Sequence, residues 1–477
     1  MSSFGYDSAN VWITSHRTYH GNVVPGQWST AGTDTRGCPL PRSGVLDSSP
    51  VNAVQSPPEL FVRTVPLPDR TGGLIDRLPE GTPLAWLNGE DGLVAWGRAA
   101  RFEPDVAPQC TTPTDNSRIG QAARWFTDLL KNARVEDQVG LPGTGAVTFG
   151  TFTFAPTSTG SALVVPRVLI GRRGDRSWLT TIGEEPDQHP EEALRTVTEP
   201  RPVGPLDWRP GSLTPQRWKD VIAQTVTRIR AGELEKAVLA RDVHAEADAP
   251  LDVRMLLKRL HARFPDCFTF SVDGMVGATP ELLLRVEGSE FDSLVLAGTR
   301  PRGEDEESDL RLGREMMTSD KDVEEHAFAV DSLRASMKPL TEELTVPDRP
   351  HLLKLANVQH LATSAHARLA PGVSALDAVA ALHPTAAVGG TPTEAAMRLI
   401  AETEGMDRGG YAGPVGWLDG AGNAEWGIAL RSARVDGTSA RLYAGCGIVA
   451  GSDPESELAE TEAKFRVMRE ALTDPGK

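Results

Sequence analysis

The chain has 477 residues, 39% hydrophobic and 24% charged, and its 49 Lys and Arg against 65 Asp and Glu leave a formal charge of −16. That much apolar material supports a sizeable core and excludes a largely disordered protein. The acidic balance excludes a general surface for nucleic acid or anionic membrane, so an anionic ligand must be gripped by a few placed cations.

Residues 1–57 are rich in Ser, Thr, Gly and Pro and show no periodic aliphatics, which predicts a poorly ordered extension. Trp12 and Trp28 give slight support to some docking of it. Strand-like segments follow at Leu60–Val65, Leu84–Arg101 and Gly145–Gly171. In the last, Val147–Phe154 alternates aromatic or β-branched residues with small ones. Between them, Ala122, Trp125, Phe126 and Leu129 predict a helix over Ser117–Asn132. The proline- and acid-rich stretch 184–206 reads as an exposed connector.

Thr214-Pro215 opens a helix with a capping residue and a first-turn proline, and Trp218, Ile222, Val226 and Ile229 form its apolar stripe. Gly232 ends it, and a strand over Lys236–His244 follows. A long helix is expected from Ser319 to about Leu340, with Val323, Ala327, Val330, Leu333 and Met337 inward. Asp419-Gly420 and Asp436-Gly437 break the segment 413–444 into antiparallel hairpins. A last helix starts after Ser452-Asp453-Pro454 and runs to about Leu472. Strands mixed with long helices and joined by hairpins indicate an α+β fold rather than a regular βαβ sheet.

Cys38, Cys110, Cys267 and Cys446 lie far apart, so neither a disulfide framework nor a zinc site is expected and a reducing cytoplasm fits. No apolar run reaches membrane-helix length, and no signal peptide is visible.

Two acidic pairs stand out. Asp322 and Glu325 share one helix face, and Glu457 and Glu460 share another. If the faces meet, four carboxylates surround one point and need a cation; oxygen ligands without Cys or His favour Mg²⁺. Each pair alone also reads as ordinary helix chemistry. Ser319-x-x-Asp322 and Ser452-x-x-Glu455 are capping-box patterns, and Glu460 with Lys464 is spaced for an i,i+4 salt bridge. Lys236 shares a strand face with Val238 and Ala240, and a lysine turned into a site there would serve as a general base. The alternative is a strand-end lysine with its head in water. Arg431, in a strand expected over Trp426–Val435, has Gly427, Ala429 and Ala433 on its face. They leave room for a carboxylate ligand, and a cross-sheet salt bridge is the competing reading. The run Gly445-Cys446-Gly447-Ile448-Val449-Ala450 matches G-x-G-x-x-A, yet no βαβ unit follows, so a dinucleotide site is not supported. Its glycines still permit close backbone approach to an anion. His326, His360 and His383 form no compelling hydrolase triad.

The motifs EKAVLAR (235–241), GATPELLLR (277–285), LAGTRPRG (296–303), SDKDVEEH (319–326), NVQHLAT (357–363), LHPTAAVGGTP (382–392), GYAGPVGW (410–417), IALRSARV (428–435) and AGCGIVAGSDPESELAETEAK (444–464) occur in one order over roughly 212–473. Together they resemble the chorismate-utilizing enzymes, most closely their isochorismate synthase branch. The resemblance implies one large α+β domain over 58–475, with two packed, mainly antiparallel sheets and surrounding helices. It implies Mg²⁺-dependent conversion of chorismate to isochorismate. Lys236 then matches the general base that activates water for attack at C2, and Glu281 the acid that protonates the departing C4 hydroxyl. Glu325 and Glu460 match the Mg²⁺ carboxylates, and Asp322 and Glu457 the acids that reach the ion through water. Arg431, Tyr411 and Lys464 match residues around the substrate carboxylates, Gly445 and Gly447 the backbone that approaches one of them, and His360 and Thr385 the ring pocket. Lysine at 236 points to water as nucleophile, since the ammonia-using branches usually carry Gln there. Salicylate synthases share these residues and add pyruvate elimination; an aminase or a non-catalytic chorismate binder are the further alternatives. Cys446 stands where the family usually has Ala. A cytoplasmic monomer without an obligate protein partner is expected.

Overall fold

Strand pairing closes over long sequence distances and so ties the two halves of the chain together. The computed structural model describes residues 58–68, 72–105, 117–194, 197–355 and 358–473. The extension expected over 1–57, with Trp12, Trp28 and Cys38, lies outside the described residues, as does Cys110. Cys267 and Cys446 are buried and free.

The expected strand over Leu84–Arg101 is a hairpin, Leu84–Asn88 and Asp91–Trp96, followed by the short strand Ala100–Phe102. Leu84–Asn88 pairs with Phe268–Val272, and Val147–Thr151 pairs with Pro414–Asp419. The first half of the chain thus supplies strands to both of the sheets that the motif-bearing half builds. Among the described residues one sheet has 13 strands and the other 10. Phe61–Pro66 and Arg134–Asp137 run parallel, whereas the main ladders are antiparallel. This is the expected α+β architecture of two mainly antiparallel sheets with helices around them.

The sheets meet over a shared apolar layer. Trp86, Phe270 and Met275 come from the first sheet, and Phe149, Leu282, Val415 and Trp417 from the second. A polar tie crosses the same layer: Trp86 Nε1 donates to Glu425 Oε2 at 2.7 Å, and Arg285 Nε donates to Glu425 Oε1 at 2.7 Å. The alternation in Val147–Phe154 now has a cause. A Cβ on Gly150 would lie 2.4 Å from the Trp426 ring and 2.6 Å from Leu163, so only glycine lets that buried indole pack there.

The helix Pro215–Arg230 buries Trp218, Ile222, Val226 and Ile229, with Thr214 capping it through Arg217 N. The stretch before it, expected as a connector, is largely exposed apart from Pro190, which is buried in a short 3-10 turn. The helix Asp320–Met337 begins at Ser319, whose side chain accepts from Asp322 N. Its buried face is rotated from the expected one. Val323 and Ala327 are exposed, whereas His326, Ala329, Val330, Leu333 and Met337 face in. The rotation turns Asp322 and Glu325 inward with His326. The last helix, Pro454–Thr473, is capped by Asp453, which accepts from Ser456 N; Ser452 accepts from Val449 N, so the expected Ser452–Glu455 box does not form.

Two further expectations are corrected. The strand expected over Trp426–Val435 is two strands, Ala424–Ile428 in the second sheet and Ser432–Asp436 in the first. Arg431 lies in the crossover with a left-handed backbone, φ +48°. The Gly445–Ala450 loop is instead mostly the end of the strand Ser439–Ile448. Among the described residues no helix is long and apolar enough to cross a membrane.

Gly150→Ala should destabilise the protein by about 1–3 kcal/mol through overpacking against Trp426. A urea unfolding midpoint equal to that of the native protein would contradict this packing account.

Candidate active site

One cavity collects most of the residues singled out in the sequence. Its walls include Glu281, Asp322, Glu325, His360, Tyr411, Arg431, Gly445, Gly447, Glu457, Glu460 and Lys464. The first sheet contributes Gly445 and Gly447. The second contributes Thr299 and His360, and Glu281 immediately precedes its strand Leu282–Glu287. The helices Asp320–Met337 and Pro454–Thr473 supply the acids and Lys464.

Lys236 opens the strand Lys236–Ala247 and is only 1% exposed. It lies just behind the cavity wall, with Nζ 3.1 Å from Glu325 Oε1. The strand-end reading with a solvated head is therefore not realised. A Cβ on Gly447 would sit 2.5 Å from Glu325 Oε1 and 3.0 Å from Lys236 Cε. The glycine is what lets this ion pair lie against the strand.

Gly445 and Gly447 have a second role. Val238 N donates to Gly389 O and Ala240 N donates to Glu404, both away from the strand Ser439–Ile448. Their partners across the ladder, Gly447 and Gly445, therefore turn their own backbone groups to the far side. The strand on that side, Ser432–Asp436, pairs only as far as Leu442. The amides of Gly445 and Gly447 are left facing the cavity as donors for an anion. Lys464 Nζ donates to Gly445 O at 2.8 Å and to Glu460 Oε1 at 2.5 Å.

Arg431 has no ion-pair partner among the described residues, so the salt-bridge reading is not met. The room expected beside it is partly filled: a Cβ on Gly427 would meet Glu281 O and the Trp86 ring, each at 2.9 Å. Arg431 reaches the cavity through the crossover instead. Glu281 is 5% exposed, and burial pushes its carboxyl up to about 7 against the opposing pull of Arg431, Lys236 and Lys464. Tyr411 stacks on Tyr443 at 5.1 Å, and burial pushes its phenol up to about 12.

His360 sits opposite Thr299 across a bulge at Gly298. Its Nδ1 lies 3.0 Å from Thr299 Oγ1 and donates to Gly298 O at 3.2 Å, which leaves Nε2 as the bare nitrogen. Nε2 is buried and has no hydrogen-bond partner among the described residues. Burial brings this imidazole down to about 3, so it is neutral at physiological pH. Thr385 is not brought into the cavity wall, where Ala387 and Val388 stand instead. Its carbonyl accepts from Val388 N and Gly389 N and shapes the turn that presents them. His326 and His383 are also buried outside the lining, bonded to Thr363 and to Phe154 O respectively.

The acid wall fits a hard divalent cation in its chemistry. Asp322, Glu325, Glu457 and Glu460 offer only oxygen. Gly447 leaves space beside the Glu325 carboxylate that a Cβ would fill. Among the described residues no three side chains converge into a ready-made ligand set. The carboxylates lean on cations instead: Glu325 on Lys236, Glu460 on Lys464, and Asp322 on Arg300 at 2.8 Å.

Two residues of the site escaped the sequence reading. Arg300 carries no spacing signal that marks it as the partner of Asp322. Arg408 lines the cavity and is 2% exposed, paired with an equally buried Glu404. Their i,i+4 spacing is visible in the sequence, but that pattern is usually a surface feature.

A pocket with several cations, aligned amides, an oxygen-only acid wall and a carboxyl raised to about 7 fits an enzyme acting on a small polyanion. The comparisons with known proteins agree. A family model described as chorismate binding enzyme matches residues 93–473. Isochorismate synthase DhbC of Bacillus subtilis is 41% identical over 270 residues, which is 54% of this chain and 68% of that protein. The salicylate biosynthesis isochorismate synthase of Pseudomonas aeruginosa is 40% identical over 290 residues, 59% of this chain and 61% of that one. The solved structure of MenF, the menaquinone-specific isochorismate synthase from Escherichia coli, superimposes with a TM-score of 0.71 at 26% identity, covering 88% of this chain and 96% of that one. The chain belongs to the chorismate-binding enzyme family.

Gly447→Ala should leave the fold intact, because the nearest clash is with the mobile end of Glu325, and lower turnover by about tenfold or more. Native turnover in a folded Gly447→Ala protein would contradict the role given to this contact.

Proposed function

We propose that the chain is an isochorismate synthase that adds water at C2 of chorismate and releases the C4 hydroxyl, with Mg²⁺ as its cofactor. The observation that carries this reading is a buried carboxyl raised to about 7 in the cavity wall together with a buried lysine just behind that wall. An addition and a departure at different ring carbons need one base and one acid. Lys236 Nζ takes a proton from the water that bonds to C2. The ring double bonds shift as the C4–O bond breaks, and Glu281 gives its proton to the departing oxygen. One water enters and one leaves, so the product is an isomer of the substrate.

Chorismate carries two carboxylates. Arg431 and Lys464, with the amides of Gly445 and Gly447, supply their donors. Tyr411 and the neutral His360 line the ring pocket. Glu325 and Glu460 would hold Mg²⁺ directly, and Asp322 and Glu457 through water. The ion would supply a positive charge that fixes a substrate carboxylate. A lysine base serves water rather than ammonia, so no glutaminase partner is needed. The relative named isochorismate synthase DhbC supports this reading, with salicylate synthase, which adds pyruvate elimination, as the alternative.

The raised carboxyl sets a pH dependence. Glu281 is the proton donor, so it is competent below about pH 7 and lost above it, and kcat/KM should fall on the alkaline side with a midpoint near there. A profile flat from about pH 6 to about pH 9 would remove Glu281 from the acid role. In the same assay Lys236→Ala should lose about 100-fold or more in kcat while circular dichroism is unchanged. Retained turnover would remove the base.

A further inference from the structure

Resting on the isochorismate synthase reading, we infer that Glu404 and Arg408 are a positioning pair for Lys236, standing in for a missing strand along the edge that carries the base. On one side the strand Lys236–Ala247 has a full neighbour in Ser439–Ile448. On the other, among the described residues, Gly390 and Thr391 alone pair with its first half, opposite Ala237 and Lys236. Gly389 O extends that contact by accepting from Val238 N at 2.8 Å. The next neighbour, Leu206–Pro210, joins at Val243.

The gap exposes Val238 O and Ala240 N, and the ion pair fills it. Arg408 Nη2 donates to Val238 O at 2.6 Å, and Ala240 N donates to Glu404 Oε1 at 2.7 Å. Arg408 Nε donates to Glu404 Oε2 at 2.9 Å, so the two side chains are locked to each other. Arg408 Nη1 donates to Val388 O at 3.0 Å, which ties the strand to the wall of Ala387 and Val388. The guanidinium rests over the Phe154 ring at 4.1 Å. A planar fork with fixed donors spans these acceptors together, whereas an ammonium cannot.

Lys236 and Val238 lie on one face of the strand, so a slip of this edge moves the base relative to the cavity. Reactions that need near-attack geometry are sensitive to such shifts, whereas binding spread over many donors is not. The pair touches neither reacting carbon; it acts through Lys236.

The test uses the full chain with Mg²⁺ in two variants, Glu404→Gln and Arg408→Lys. Glu404→Gln preserves shape and the acceptor for Ala240 N, so it carries the test if Arg408→Lys does not fold. Both should lower kcat by about tenfold or more and leave KM for chorismate within about threefold. Chorismate affinity, measured by calorimetry in the non-turning Lys236→Ala background, should change by less than about threefold on adding Glu404→Gln. Native kcat in a folded Glu404→Gln protein would overturn the inference. So would a loss of chorismate affinity as large as the loss in kcat, because a general collapse of the site moves both. Absence of isochorismate with the native chain would overturn the activity itself, which is a separate outcome.

Discussion

The site depends on keeping a lysine out of water. Lys236 is 1% exposed, and a buried amine that takes up a proton needs a carboxylate beside it, which Glu325 provides at 3.1 Å. That requirement fixes much of the surroundings. The Glu325 carboxylate must lie close against the strand, where a Cβ on Gly447 would come within 2.5 Å of it. The same helix must turn Asp322 and His326 inward with Glu325, and it leaves Val323 and Ala327 outside. The strand end must hold still while one neighbour is only two residues long, and a buried ion pair completes it.

The net charge of −16 and an anionic substrate are reconciled locally. Arg431 and Lys464 stand at one cavity, together with two strand amides, and Lys236 lies just behind its wall. Charges inside such a wall act at shorter range and with less screening than those on the surface. The acid wall opposite suits a divalent cation, and in its cation-paired form it also keeps like charges from repelling. The Glu281 carboxyl, by contrast, is governed by burial more than by its cationic neighbours, so it gives up its proton only near neutrality, at about 7.

Much of this was legible in the sequence where the signal was local. The last helix, the helix after Thr214-Pro215 and the Asp-Gly hairpins carry their own caps, periods and turns. The resemblance of the ordered motifs located Lys236, Glu281 and the four acids, and the fold brings these into or against one cavity. What was missed is nonlocal. The strand expected over Trp426–Val435 reads as continuous, yet it crosses between sheets at Arg431. Only the partners of its two halves decide that. Arg408 and Glu404 look like a surface pair until the short edge beside Lys236 is seen. The aliphatics of Asp320–Met337 predict an inward face with Val323 and Ala327, whereas the helix turns Asp322 and His326 inward instead.

The most direct measurement is incubation of the purified chain with chorismate and Mg²⁺ in heavy-oxygen water, with the products weighed by mass spectrometry. Water attack at C2 predicts an isomer of chorismate carrying one heavy oxygen atom and no pyruvate. An unlabelled isomer would contradict the water nucleophile, and salicylate with equimolar pyruvate would contradict the assignment as a synthase that stops at isochorismate.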